Sequence, residues 1–74
     1  MNQRTRICYQ VYEKDGSWTV SFDGDPAIRD FPSRERALSA AREAAEARWL
    51  MTGIPSCTRI GRPHEPGDDD LSYG

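Results

Sequence analysis

A two-residue turn between two alternating stretches constrains this chain more than any other feature. Asp15 and Gly16 separate a stretch from Thr5 to Glu13 from a second one that begins at Ser17. An Asp-Gly pair readily takes the positive φ angles that a tight hairpin turn requires. Apolar and polar residues alternate on both sides of this turn, which is typical of half-buried strands. The sequence therefore predicts an antiparallel hairpin with one apolar and one polar face.

A helix is predicted from Arg34 to about Thr52. Ser33 is a suitable N-cap residue, and apolar residues recur at helical spacing after it. Gly53 is expected to end the helix in the left-handed conformation, and Pro55 prevents any continuation. The core residues predicted from the hairpin and this helix are Tyr9, Val11, Trp18, Val20, Phe22, Leu38, Ala41, Ala45 and Trp49.

Two further short strands are predicted, one on each side of the helix. The first runs from Ala27 to Phe31, with Ile28 as its inward residue, and the second runs from Ser56 to Ile60. The order is then strand, strand, short strand, helix, strand. This order predicts a single α+β domain over residues 1–62, in which one helix packs on one face of a small, antiparallel-rich sheet.

Residues 63–74 are predicted to form a flexible acidic tail. The tail holds four of the twelve acidic residues and no Lys or Arg, so it carries a charge of −4. Because the whole chain has a formal net charge of −2, residues 1–62 carry +2. The tail has too little apolar surface to offset the entropy lost on ordering, which predicts disorder.

The chain is predicted to be cytoplasmic, with no membrane contact. No segment approaches the roughly 18 apolar residues of a membrane span, and the first residues lack the apolar region of a signal peptide. Cys8 and Cys57 show neither a C-x-x-C spacing nor a histidine at ligand distance. Neither a disulfide framework nor a zinc site is therefore predicted. The two cysteines can pair only if their strands are neighbours.

Catalytic and cofactor chemistry is not predicted. The single histidine, His64, lies in the predicted tail and has no oriented nucleophile beside it. Asp23, Asp25 and Asp30 are interpreted as turn formers rather than as paired catalytic carboxylates. The glycines stand singly, so no phosphate-binding loop is indicated. We expect a protein that is not an enzyme and that uses no cofactor or metal.

Two stretches of the chain carry a resemblance. GSWTV, a polar break, FPSRERALSAAREAAE and a final short strand resemble a family of small bacterial proteins of unknown function. Members of that family share a Gly-Gly-Trp-x-Val hairpin and a Thr- or Ser-capped helix rich in Ala, Glu and Arg. The resemblance covers about Tyr9 to Ile60, and Ser17 stands where the family has its second Gly. It implies the fold and no function.

A weaker resemblance links the chain to the amino-terminal domain of HicB-type antitoxins. VSFDGDP and RERALSAAREA are similar to the hairpin end and the helix of that domain. The Pro-Asp-Leu-Pro-Gly loop of the antitoxins is absent here, and no DNA-binding helix-turn-helix or ribbon-helix-helix segment follows. The resemblance implies binding to a protein partner, which in an antitoxin role would rest on toxin contact alone.

The predicted function is that of a small interaction or regulatory module. Its binding residues are expected on the polar sheet face at Arg6, Gln10 and Tyr12, near Thr19 and Ser21 of the second strand. Arg59 joins them if the last strand lies beside the first. Homodimerisation or binding of a protein partner, through a sheet edge or this face, is the first prediction.

Two alternatives remain open. The polar face carries Arg and Tyr, which in other proteins bind single-stranded nucleic acid by phosphate contact and base stacking. The acidic tail is the basis of the second alternative, since it can occupy a basic groove of a partner as a nucleic-acid mimic does. Small inhibitors from phages or mobile elements sometimes work in this way.

Overall fold

The alternating stretches and the capped helix form one sheet with one helix on it. The computed structural model describes residues 7–22, 29–62, 65 and 67–74 of the chain. Within these ranges the fold is α+β, as predicted from the sequence. Its elements are β1 (Ile7–Lys14), β2 (Ser17–Phe22), β3 (Arg29–Phe31), α1 (Arg34–Thr52), β4 (Ser56–Ile60) and β5 (Asp68–Tyr73).

The predicted hairpin is formed by β1 and β2. Asp15 and Gly16 both have positive φ, at 52° and 83°, which gives the two-residue turn a twist that matches the strands. Lys14 lies opposite Ser17 at the turn, and Val11 lies opposite Val20 on the core side. Local sequence signals are therefore sufficient to specify both strands and their register.

The sheet has the strand order β3-β2-β1-β4-β5. The pairs β1–β2, β2–β3 and β4–β5 are antiparallel, whereas β1 and β4 are parallel. A parallel pair needs a crossover connection, and α1 lies in that connection. Since β1 and β4 are neighbours, Cys8 lies opposite Cys57 with 4.5 Å between their Cα atoms, and the two form a disulfide. This disulfide resolves the pairing that the sequence leaves open.

The helix begins and ends where its capping residues predict. The Oγ atom of Ser33 accepts a hydrogen bond of 3.2 Å from the backbone N–H of Arg36. Gly53 has a φ of 74°, and its N–H donates to the carbonyl oxygen of Trp49. Both ends thereby satisfy backbone groups that the helix itself leaves without partners.

The helix meets the sheet through small residues. Ala37, Ala41 and Ala45 are fully buried and recur every four residues, so that the helix backbone lies close to the sheet. Trp49 was predicted as a core residue, but it is only partly buried, and its ring lies against the backbone of Gly74. The core cluster also contains Tyr9, Val11 and Val20, with Trp18, Phe22 and Leu38 partly buried against it.

The prediction of a disordered tail is wrong for Asp68–Tyr73, which form β5 beside β4. Contacts distant in sequence order this strand, since Asp70 binds α1 and Tyr73 packs against the core. The third predicted strand is present as β3 over Arg29–Phe31. Ala27 and Ile28 lie outside the described residues.

Candidate interaction site

One face of the sheet, opposite α1, has no described helix or strand packed on it. We call it the open face, and strand alternation places on it Gln10, Tyr12, Thr19, Ser21, Asp30, Cys57, Arg59 and Asp69. Its side chains pair mainly with one another. The hydroxyl of Thr19 donates to Asp30 at 3.0 Å, and that of Ser21 donates to Gln10 at 3.2 Å.

The structure brings three of the four predicted binding residues to this face. Gln10 and Arg59 lie opposite each other on β1 and β4, and Tyr12 follows two residues later on β1. Arg6 lies outside the described residues. The ring of Tyr12 is half-buried, with the guanidinium of Arg62 5.7 Å from its centroid. The predicted grouping of Gln10, Tyr12 and Arg59 is thus present as geometry.

The acidic strand lies beside the predicted arginine. Nε of Arg59 lies 3.4 Å from Oδ1 of Asp69, whose side chain is 89% exposed. Such an exposed pair contributes little to stability. It does, however, place a carboxylate beside the guanidinium of Arg59.

A second acidic residue of β5 is held on the opposite side of the sheet. Asp70 accepts hydrogen bonds of 2.8 and 2.6 Å from Nε and Nη2 of Arg42, and one of 2.7 Å from the hydroxyl of Thr58. The hydrogen bonds from Arg42 hold the pKa of Asp70 below its ordinary value against the opposing effect of burial, and the bond from Thr58 acts in the same direction. The same contact raises the pKa of Arg42. This network docks β5 onto α1.

The outer edge of the sheet at β3 has no strand partner among the described residues. The two-residue turn makes Lys14 and Ser17 a hydrogen-bonded pair, so the pairs of β1 and β2 alternate from there. Thr19 then directs its backbone N–H and C=O toward β1. Its partner across β2 and β3 is Asp30. The N–H and C=O of Asp30 therefore point away from β2, to the side of β3 on which no other described strand lies.

An apolar groove lies next to this edge, on the helix side of the sheet. The helix packs mainly against β1 and β4, which leaves the helix-side surfaces of β2 and β3 partly uncovered. A cavity of about 150 Å³ lies between these strands and α1. A second cavity of about 270 Å³ continues it along α1 past Ala44. We call the two together the β3 groove, lined by Tyr9, Val20, Arg29, Phe31, Ala40 and Ala44 and then by Ala47, Arg48, Met51 and Thr52.

Two arginines carry positive charge into the β3 groove. The guanidinium of Arg29 lies 5.2 Å from the ring centroid of Phe31, and that of Arg48 lies 4.5 Å from the centroid of Phe22. Nε of Arg48 also donates to the hydroxyl of Tyr9 at 3.2 Å. Neither arginine has a carboxylate partner among the described residues. The groove therefore combines an apolar floor with two positive charges.

Sequence reasoning did not select the groove residues. Phe31, Ala44 and Met51 are far apart in the chain, and only the position of α1 over the sheet brings them together. One signal was present: the residues three and four positions from Arg48 are Ala44, Ala45, Met51 and Thr52, so no carboxylate faces it along the helix.

Other kinds of site find no support in the described ranges. No three His, Cys, Asp or Glu side chains there gather as metal ligands do. No helix in those ranges has an apolar stretch long enough to span a membrane. Comparisons with protein families, with curated proteins and with solved structures give no match to this chain.

Proposed function

We propose that this chain is a non-enzymatic interaction module that binds an extended segment of a protein partner, or of a second copy, at the edge of β3. The observation that carries the proposal is the apolar β3 groove beside a sheet edge that pairs with no other strand in the described part of the chain. A segment that pairs with the outward N–H and C=O of Asp30 extends the sheet by one strand. Its alternate side chains then enter the groove, where their burial provides affinity.

The other edge of the sheet is less suited to this role. β5 carries three consecutive aspartates and a bulge opposite Thr58, and both features discourage pairing with a further strand. β3 has no bulge, and its two helix-side residues are Arg29 and Phe31. The groove runs directly behind them.

The nucleic-acid alternative has less support from the open face. Tyr12 is half-buried beside Arg62, and Arg59 is paired with Asp69. Asp30 and Asp69 bring negative charge to the same face, which opposes phosphate binding. The acidic-mimic alternative is weakened in the same way, because Asp69 and Asp70 both have arginine partners within the chain.

The proposal includes a cytoplasmic location, and this location affects whether the disulfide can persist. Disulfides persist in oxidising compartments and are rare in the cytosol. A cytoplasmic module must therefore keep its fold, and its binding edge, with Cys8 and Cys57 reduced. Alkylation of free thiols in freshly lysed cells measures which form is present.

The experiment selects ligands for the folded full chain from a library of random octapeptides displayed on phage. Enriched peptides are synthesised and titrated into the wild type, Asp30→Pro and Asp30→Ala. Proline removes the outward N–H at an edge position that tolerates it, so the dissociation constant should rise roughly tenfold. Asp30→Ala is the matched control, because it loses the same carboxylate and keeps the N–H.

Light scattering over a concentration series tests whether a second copy of the chain binds at the β3 edge. A wild-type dimer that Asp30→Pro converts to a monomer supports pairing at β3. Failure to enrich any peptide, together with a monomer at every concentration, contradicts the proposal. Equal peptide affinities of the Asp30→Pro and Asp30→Ala variants contradict it as well.

A further inference from the structure

The charges of the β3 groove indicate which kind of partner segment it can bind. We infer that the partner strand at β3 is an acidic, apolar segment of another protein, with an apolar residue and a carboxylate two positions apart. This inference rests on the proposed function, because it names the partner of the same edge.

The two-residue spacing follows from β3 itself. Arg29 and Phe31 are two positions apart and lie on the same, helix-side face of the strand. Alternate residues of a strand are about 7 Å apart on one face, and residues opposite each other on paired strands are direct neighbours. A strand added at the edge thus brings one side chain to Phe31 and another, two residues away, to Arg29. An apolar side chain complements the first position and a carboxylate the second.

A second positive charge lies farther along the groove. Arg48 is half-buried, and its guanidinium is held between the ring of Phe22 and the hydroxyl of Tyr9. A guanidinium held in this way has lost part of its hydration and part of its rotamer freedom already. A carboxylate that reaches it makes a charge-assisted hydrogen bond in a less polar environment than bulk water.

The apolar part of the segment has a matching surface. Ala40, Ala44 and Ala47 form the helix wall of the groove and leave space where larger residues would fill it. At the far end Met51 is 83% exposed, and a methionine adapts its shape to different apolar side chains. The alanine wall therefore accepts apolar side chains without a demand for one specific shape.

A second copy of the chain is a poorer occupant than a foreign segment. On its helix side β3 presents Arg29 and Phe31, so a copy paired at this edge brings another arginine and no carboxylate to the groove. Asp30 lies on the open face, away from the groove. Charge complementarity thus favours a foreign acidic segment.

The test uses the octapeptides enriched on the wild type and the variants Arg29→Gln, Arg48→Gln and Arg34→Gln. We expect the enriched sequences to contain Asp or Glu two positions from an apolar residue more often than the starting library does. Loss of one charge-assisted hydrogen bond in either groove variant should raise the dissociation constant about tenfold or more. Arg34→Gln removes an equal charge at the start of α1 and should bind as the wild type does.

Two further variants separate charge from folding. Arg29→Lys retains the charge and should recover part of the affinity, whereas a peptide in which the acidic residue of the motif is replaced by its amide should bind the wild type and Arg29→Gln alike. Arg29 is exposed, so Arg29→Gln is not expected to disturb the core. Circular dichroism melts confirm that each variant is folded.

The possible results separate a failure of this inference from a failure of the proposed function. Enriched peptides without an excess of carboxylates, or groove variants that bind them as tightly as the wild type does, overturn the inference. If Asp30→Pro still weakens the binding of those peptides, the β3 edge remains the binding site and only the partner chemistry is wrong. If Asp30→Pro also has no effect, both fail.

Discussion

Asp70 is one of the described residues with the most side-chain hydrogen bonds. It accepts two hydrogen bonds from Arg42 and one from Thr58, and its side chain is only 11% exposed. Charge-assisted bonds of this kind are stronger than neutral ones. They connect β5 to both α1 and β4, and so give an acidic strand with few apolar residues a fixed position.

The lowered pKa of Asp70 makes stability depend on pH. Because its folded-state pKa lies below the ordinary 3.8, the carboxylate stabilises the fold fully above that value. The contribution is lost as the pH falls through the lowered pKa. Asp70→Asn should therefore be less stable than the wild type near neutral pH, and the difference should shrink below about pH 4. Urea unfolding at several pH values measures both effects.

Asp69→Asn is the matched control for this prediction. Asp69 lies on the same strand and also faces an arginine, but it is 89% exposed, so its loss should change stability little. Equal losses of stability in the two variants, or a gap for Asp70→Asn that persists in acid, would show that the network does not hold β5.

At the scale of elements, the parallel pair β1–β4 joins the strands before the helix to the strands after it. Cys8 and Cys57 join these strands across 49 residues of sequence. In the chain-entropy description, a loop of this length gives a disulfide about 4 kcal/mol of stabilisation, because it restricts the unfolded chain. Reduction should therefore lower the urea midpoint of the wild type strongly.

The double variant Cys8→Ser, Cys57→Ser is the control for reduction. Its unfolding should be the same with and without reductant and should resemble that of the reduced wild type. A wild type whose unfolding midpoint is unchanged by complete reduction, checked by thiol titration, would contradict this assignment of stability to the β1–β4 link.

Elements specified by neighbouring residues were predictable from the sequence. The Asp15-Gly16 turn, the Ser33 cap and the Gly53 ending are local signals, and the hairpin and helix form where these signals predict. β5 was missed because Asp68–Tyr73 has no apolar alternation, and its order comes from partners on α1 and β4. The disulfide depends on the strand order in the same way.

The candidate site likewise has a part that the sequence predicts and a part that depends on packing. The open-face positions of Gln10 and Tyr12 follow from strand alternation, whereas Arg59 joins them because β4 lies beside β1. The β3 groove does not follow from any one stretch, since it arises from where the helix rests on the sheet. Sequence patterns specify faces, whereas the space between elements depends on packing.

At the scale of the whole molecule, the off-centre helix gives the two ends of the sheet different roles. α1 packs mainly over β1 and β4, and the Arg42–Asp70 network secures β5 on that side. The opposite side, at β3, has an apolar groove and an edge that no other described strand pairs with. A partner strand there would complete the layer that the chain leaves partly open.

A titration of the ¹⁵N-labelled full chain with an enriched octapeptide, followed by amide chemical shifts, locates the bound segment on the fold. Binding at the β3 edge should give the largest shifts at Asp30 and Phe31 of β3, at Val20 and at Ala44 of the helix wall. Shifts concentrated on the open face at Gln10, Tyr12 and Arg59, with β3 unchanged, would contradict it.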